Sequence, residues 1–200
     1  MIAVFGLKSK CKVIVGLGNP GEAYKRTRHN AGARAVEKLA KEKRFLFRLS
    51  RPLKSLVAVG KIQNREVFFV LPQTFMNLSG NAVLSLVKKK RVLLDHVLIV
   101  CDDVALPLGE IKIKSKGSGG GHNGLASVIE KLGTKDFARL RLGIGRGDDR
   151  RDLSDYVLSR FTKDEEPVLE KMLDKAVLAI ETWVLDGVDK SMNCFNQTKA

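Results

Sequence analysis

Residues 13–32 constrain the fold more than any other stretch. Val13-Ile14-Val15 is a short apolar run that reads as a buried strand. It opens into GLGNPGEAYKRTRHNAG, Gly16 to Gly32, before a helical pattern begins. A strand that ends in a glycine turn and feeds a helix is the unit of α/β folds, whose ligands bind beyond the carboxyl ends of strands. Gly16, Gly18 and Gly21 are expected to let the backbone turn sharply and approach a ligand. Asn19 brings an amide that can donate and accept at once. His29 and Asn30 close the stretch. An imidazole and two carboxamides at a strand end mark a place for chemistry.

The same residues match the dinucleotide fingerprint G-x-G-x-x-G, at Gly16, Gly18 and Gly21. That motif also needs a helix starting inside the glycine turn and an acidic residue about 20 positions on, after a second strand. Here Pro20 and Gly21 delay the helix, and the next acid after the turn region, Glu37, lies within a helical pattern. The dinucleotide reading is set aside. A glycine turn without a ligand stays open on this stretch alone.

The rest of the chain repeats the theme. Ala33 to Lys43 has helical spacing, and Phe45 to Pro52 reads as basic and irregular. Leu56–Val59 and Val67–Leu71 read as strands joined by a turn at Gln63-Asn64, with Pro72 as the stop. Gln73–Gly80 joins the second strand to a helix over Asn81–Lys90, with Ser79 as its expected cap. Val97–Cys101 is a strongly apolar strand ending in Asp102-Asp103; Asp103 reads as solvated or as a turn cap. Glu110–Lys114 and Arg139–Ile144 alternate as half-exposed strands with basic residues on one face. Between them, Gly117–Gly124 is glycine-dense and feeds a helix over Leu125–Leu132, a place suited to an anionic or carbonyl ligand. His122 within it reads as structural. Gly145 to Asp152 reads as a charged loop and Leu153–Phe161 as a short helix. Thr162-Lys163-Asp164-Glu165 is a capping box that opens a long amphipathic helix to Gly187.

The 200 residues suffice for one core, and 44% hydrophobic with 29% charged residues suits a globular chain. The net charge of +14 is spread along the chain and points to a polyanion, most simply nucleic acid. Cys11, Cys101 and Cys194 are isolated, which argues against a disulfide framework or a cysteine metal site and fits a reducing compartment. The apolar start MIAVFGL is too short for a signal core, and no apolar run approaches the ~20 residues of a membrane span. A cytoplasmic location is expected.

Seven motifs then coincide. GLGNPG, TRHNAG, TFMNLSG, CDD, LPLG, GGGHNGL and RLRLGIG stand in the order and spacing of bacterial-type peptidyl-tRNA hydrolase, which the chain resembles from about Val13 to Gly145 and more loosely beyond. The resemblance implies one compact α/β domain, a mixed twisted sheet between helices in three layers, over 1–200 with a basic extension to Cys11. It implies cleavage of the ester joining a peptide to the terminal ribose of tRNA, recycling tRNA from stalled translation, by a monomer without metal or organic cofactor. Position by position, it makes His29 the catalytic base and Asp102 its partner. Asn19 distinguishes an N-blocked peptide from a free aminoacyl group. Asn77 and Asn123 hold the peptide and the attacking water, with Met76 in the same motif. Tyr24 and Phe75 line the site for the acceptor end, and Lys114 with Arg141 clamps the terminal phosphate of the tRNA.

No GxSxG elbow is present, so water is the simplest nucleophile, and an imidazole beside a carboxylate suits its activation. Two positions depart from the family. Ala105 stands where an acid is usual, which is expected to weaken hydrogen bonding behind Asp102, and Leu71 stands where a Lys often precedes the Pro-x-Thr-Phe-Met motif. A chloroplast RNA-binding splicing factor similar to this family offers the alternative of a binding module. The intact set His29, Asn19, Met76, Asn77, Asp102 and Asn123 argues for the enzyme.

Overall fold

The computed structural model describes residues 11–146 and 152–196. Of the expected N-terminal extension only Cys11 falls within this range, and of the expected loop at 145–152 the residues 147–151 fall outside it. Seven strands form one mixed sheet in the order β2-β3-β4-β1-β5-β7-β6. β1 (Lys12–Gly16) lies at its centre, parallel to β4 (Arg65–Pro72) on one side and to β5 (Val97–Asp103) on the other. β7 (Ala138–Gly143) is parallel to β5. β2 (Arg48–Ser50), β3 (Ser55–Ile62) and β6 (Ile111–Lys114) close the two sides with antiparallel pairs.

Alternate residues of the central strands supply two cores, as the period of two requires. Ile14, Leu98, Val100 and Leu140 face α1 (Ala31–Glu42) and α5 (Glu166–Asp186). Val13, Val15, Ile99 and Cys101 face α2 (Ser79–Lys90) and α3 (Asn123–Leu132). The result is the expected three-layer α/β/α arrangement. α4 (Leu153–Leu158) and α6 (Val188–Phe195) complete it.

Several boundaries follow the reading of the sequence and some do not. Gln63-Asn64 makes the two-residue turn between β3 and β4, with Gln63 at φ 50° as such a turn requires. The capping box forms: Glu165 Oε2 accepts from Thr162 N at 2.7 Å and Thr162 Oγ1 accepts from Glu165 N at 3.3 Å. Residues 48–50, expected to be irregular, pair with β3 as a short edge strand. Ser79 is not a cap: it is the first helical residue of α2, fully buried, and its side chain caps nothing. Gly187 ends α5 but at once opens α6, which the sequence reading lacked. Arg139, expected on a half-exposed face, is 1% exposed. Its guanidinium donates to the carbonyls of Gly117, Ser118, Lys135 and Phe137, so it ties the glycine loop to β7.

The glycines of the first turn also act differently from the expectation. Only Gly21 has a left-handed backbone, at φ 101°. A Cβ on Gly16 would meet Gly32 O at 2.7 Å, and one on Gly18 would meet Ala33 Cβ and Asn30 Cγ at 3.0 Å. Their smallness lets α1 press onto the end of β1. Gly32 answers from the helix side, where a Cβ would lie 2.3 Å from Val100 O. Gly32→Ala must therefore push α1 off β5. It should destabilise by about 1–3 kcal/mol or more, as overpacking does. Urea unfolding checks this: the midpoint should fall, and an unchanged midpoint would mean that the helix does not seat on Val100.

Candidate active site

The site lies where the parallel strands end. β1, β4 and β5 run the same way, so the corners after Gly16 and Pro72 and the last residues of β5 meet at one edge. α1 then covers one face of the sheet and α2 the other, which leaves a crevice at the strand ends. A cavity of about 480 Å³ occupies it. Asn19, His29, Phe75, Met76, Asn77, Asp102, Asn123 and Arg141 all line this cavity, so eight of the ten residues singled out from the sequence converge. Tyr24 and Lys114 are not among the lining residues. Tyr24 is half-buried in the turn before His29, and Lys114 lies on the outer strand β6.

At the centre is a carboxylate shared by two imidazoles. His29 Nδ1 is 3.0 Å from both Asp102 oxygens. His122 Nε2 is 3.0 Å from Asp102 Oδ1. The tautomers follow from the neighbours. His122 Nδ1 accepts from the backbone N–H of Gly124 and Leu125, at 3.0 and 3.2 Å, and so caps α3. A nitrogen that accepts carries no proton, so His122 carries its proton on Nε2 and donates it to Asp102. His29 likewise donates from Nδ1 to the carboxylate, which leaves its Nε2 as a bare lone pair. Burial alone would raise the Asp102 carboxyl, but the charge that His122 gains on protonation and its hydrogen bond, joined by those of His29, outweigh burial. They hold Asp102 well below the usual carboxylate range. Asp102 is therefore an anion throughout the neutral range.

His122 is thus structural, as expected, but it is also part of the site. The signal lay in its place at the start of a helix, directly beside the glycine loop. Its partnership with Asp102 spans 20 residues and left no local mark.

The carboxamide of Asn19 is fixed with equal clarity. Its Oδ1 accepts from Met76 N at 2.8 Å, so its Nδ2 is a donor that can serve a ligand. Asn30 holds the backbone of the same residue from both sides: its Oδ1 accepts from Asn19 N and its Nδ2 donates to Asn19 O, each at 2.9 Å. Met76 is buried, with Sδ packed so closely on Gly124 that a Cβ there would come within 2.5 Å. Phe75, 58% exposed, stands at the mouth. Asn77 and Asn123 are exposed at the cavity wall.

The next acid serves another purpose. Asp103, expected to be solvated or a turn cap, is buried, accepts from Ala105 N at 3.0 Å and pairs with Arg141 Nε at 2.5 Å. The turn-cap reading holds; the solvated one does not. Position 105 is exposed, and its N–H donates to Asp103 rather than to Asp102. Arg141 and Lys112 are opposed in the β6–β7 register, as are Arg139 and Lys114, so all four leave the same face of the sheet.

Among the described residues, His29, Asp102 and His122 place ligand atoms within 4.8 Å of one another. Both His122 nitrogens and His29 Nδ1 are engaged in hydrogen bonds within the protein, which leaves His29 Nε2 as the unengaged ring nitrogen of the trio.

The comparisons agree with this geometry. The family model described as peptidyl-tRNA hydrolase matches residues 13–200. The peptidyl-tRNA hydrolase of Desulfitobacterium hafniense is 45% identical over 186 residues, covering 93% of this chain and all of its own. That of Chloroflexus aggregans is 46% identical, with 92% of this chain and 98% of its own covered. A crystal structure of peptidyl-tRNA hydrolase from Acinetobacter baumannii aligns with a TM-score of 0.90 at 33% identity, over 98% of this chain and 99% of the other. A 5'-methylthioadenosine nucleosidase from Arabidopsis thaliana, at 7% identity and a TM-score of 0.55 over 89% of this chain and 98% of its own, shares the fold alone. The chain belongs to the peptidyl-tRNA hydrolase family.

Proposed function

We propose that this chain hydrolyses the ester between a peptide and the terminal ribose of tRNA, with His29 as the base that activates water. The observation that carries the reading is the bare Nε2 of His29 in the cavity, with Nδ1 held by an anionic Asp102. Water gives a proton to Nε2 as its oxygen attacks the ester carbonyl. Asp102 stabilises the imidazolium that forms. The tetrahedral intermediate then collapses, the ester C–O bond breaks, and the imidazolium returns its proton to the ribose oxygen. The carboxamides of Asn77 and Asn123 at the cavity wall hold the peptide and the water, and offer neutral donors to the oxyanion.

Asn19 reads the N-blocked linkage. With Oδ1 taken by Met76 N–H, it presents a donor, which suits a peptide carbonyl and is mismatched to a free ammonium. Phe75 at the mouth, and Tyr24 outside it, serve the acceptor end, and Lys114 and Arg141 on one face of β6 and β7 serve its terminal phosphate. All of these residues come from one chain, so the reading needs no second copy. A cytoplasmic site of action suits the tRNA substrate of this reading, and no helix among the described residues is long and apolar enough to cross a membrane.

Single-turnover cleavage of N-acetyl-aminoacyl-tRNA tests the base. His29→Ala should bind tRNA nearly normally and lose about 10²–10⁴-fold in turnover. Full activity in the folded variant would remove His29 as the base. Asp102→Asn should cost less, since the base survives. Because Asp102 stays ionised far into acid, protonation of this carboxyl should not switch the site off between neutrality and about pH 4. Infrared spectroscopy checks this: a protonated-carboxyl band that appears at about pH 4 or above and is lost in Asp102→Asn would contradict it.

Discrimination is tested by Asn19→Asp. A carboxylate keeps the acceptor for Met76 N–H but replaces the donor with a negative charge, which attracts an α-ammonium. The ratio of rates for blocked over unblocked aminoacyl-tRNA should drop; an unchanged ratio would show that Asn19 does not read the linkage.

A further inference from the structure

The +14 charge is not evenly used. On the α1–α5 side, acids and bases neutralise each other: Arg34 pairs with Glu166 and Glu170, Lys38 with Glu170 and Asp174, and Lys43 with Glu181. Residues 48–95 are different. They hold nine Lys and Arg against two acids, Glu66 and Asp95, a balance of +7 in under a quarter of the chain. None of the nine makes an ion pair among the described residues.

Eight of the nine gather on one surface. Arg48 opposes Val57 across β2–β3, so Arg48, Val59 and Lys61 share the face of β3 that carries Val57. Phe68 opposes Val59 on the same face, and Lys90 Nζ sits 4.6 Å above its ring. That contact brings the basic end of α2, Lys88 to Arg91, onto the sheet. Arg51 and Lys54 flank Leu53, which is buried in the same core as Leu86 of α2. Lys90 is half-buried and the other seven are exposed. Val59 is 50% exposed, because α2 does not extend over β3. A helix C-terminus favours one or two cations in its last turn. That accounts for part of the Lys88–Arg91 run but not for Arg48, Arg51, Lys54 or Lys61.

Most of this surface stands away from the catalytic crevice and from Lys114 and Arg141; the Arg51–Leu53 turn comes nearest, where the Lys54 carbonyl accepts from Gln73 N at 2.7 Å in the corner that leads to Phe75. β3 lies four strand spacings from β7, roughly 19 Å, and the C-terminus of α2 is about 18 Å from its start beside Asn77. We propose that the surface formed by β2, β3, the Arg51–Leu53 turn and the end of α2 is a second RNA-binding face, which grips the phosphate backbone of a duplex separately from the acceptor end in the crevice. Exposed, unpaired Lys and Arg spread over a sheet and a helix end suit a phosphate backbone, with Arg able to bind phosphate in two-pronged fashion. The face carries no amphipathic helix with an exposed apolar stripe, as a lipid surface would favour. The inference goes beyond the proposed hydrolysis and does not depend on it.

The test compares wild type with the quadruple variant Arg48→Gln, Lys61→Gln, Lys88→Gln, Lys89→Gln. Two probes are used: an RNA duplex of about 20 base pairs without an aminoacyl group, and an acceptor-stem minihelix charged with N-acetyl-aminoacyl. The variant should bind the duplex roughly tenfold or more weakly at moderate salt, with a log K against log salt slope reduced by roughly 2–4 units. Its kcat/KM on the minihelix should be unchanged. Equal duplex affinity and slope in the two proteins would overturn the proposal. So would a parallel loss of minihelix turnover, which would place the face on the path of the acceptor end. Wild-type binding to phosphatidylserine vesicles in preference to the duplex would overturn it in favour of a membrane surface. If the wild type failed to cleave the minihelix, the proposed hydrolysis would fall and the duplex measurement would still stand.

Discussion

One buried carboxylate organises this molecule. Asp102 is the penultimate residue of a strand whose every residue is buried, and a charge there is costly unless it is fully partnered. Two imidazoles supply the partners, and each is committed by something else. His122 is committed by the first turn of α3, whose amides need its Nδ1. His29 is committed by the short turn before α1. The compensation of a buried charge and the preparation of a base are therefore one arrangement. What stabilises Asp102 in the fold also leaves a bare nitrogen in the crevice.

The turn that carries His29 is gripped from the far end of the chain. Arg28, buried, donates to Glu165 at 2.7 Å and to Ser159 at 3.2 Å, and its guanidinium stacks on Tyr156 and Phe161. Glu165 is the acid of the capping box that starts α5. Burial would raise its carboxyl, but the hydrogen bonds from Arg28 and Thr162 hold it below its ordinary value. One carboxylate thus starts a helix and locks the residue beside the base. On the other flank, Asn30 fixes the backbone of Asn19 and the amide of Met76 fixes its side chain. The site is rigid because its neighbours in sequence are each held by a distant element.

This explains what was legible in the sequence. Strands and helices with clear periodicity, such as β5, α1 and α5, announced themselves, because alternation and helical spacing are local properties. The residues lining the crevice were legible as motifs. The roles of Arg28, Asn30 and His122 were not, because each depends on a partner 11 to 137 residues away. Arg139 misled for the same reason. An arginine in an alternating strand looks half-exposed until the carbonyls of a distant glycine loop close around it. Ser79 misled because the chain enters α2 through a tight turn at Met76–Leu78, which brings the helix start forward to Ser79 itself and leaves Leu78 at the cap position. The glycines of the first turn were seen, but their reason was helix packing more than ligand approach.

Opposite tautomers around Asp102 are what leave His29 able to take a proton from water. Nitrogen-15 NMR of histidine-labelled protein, recorded above the pH at which imidazoles are protonated, reads them directly. The predicted result is His29 protonated on Nδ1 with a bare Nε2, and His122 protonated on Nε2 with a bare Nδ1. A His29 that carries its proton on Nε2 at neutral pH would contradict the account, because the nitrogen meant to take water's proton would already hold one.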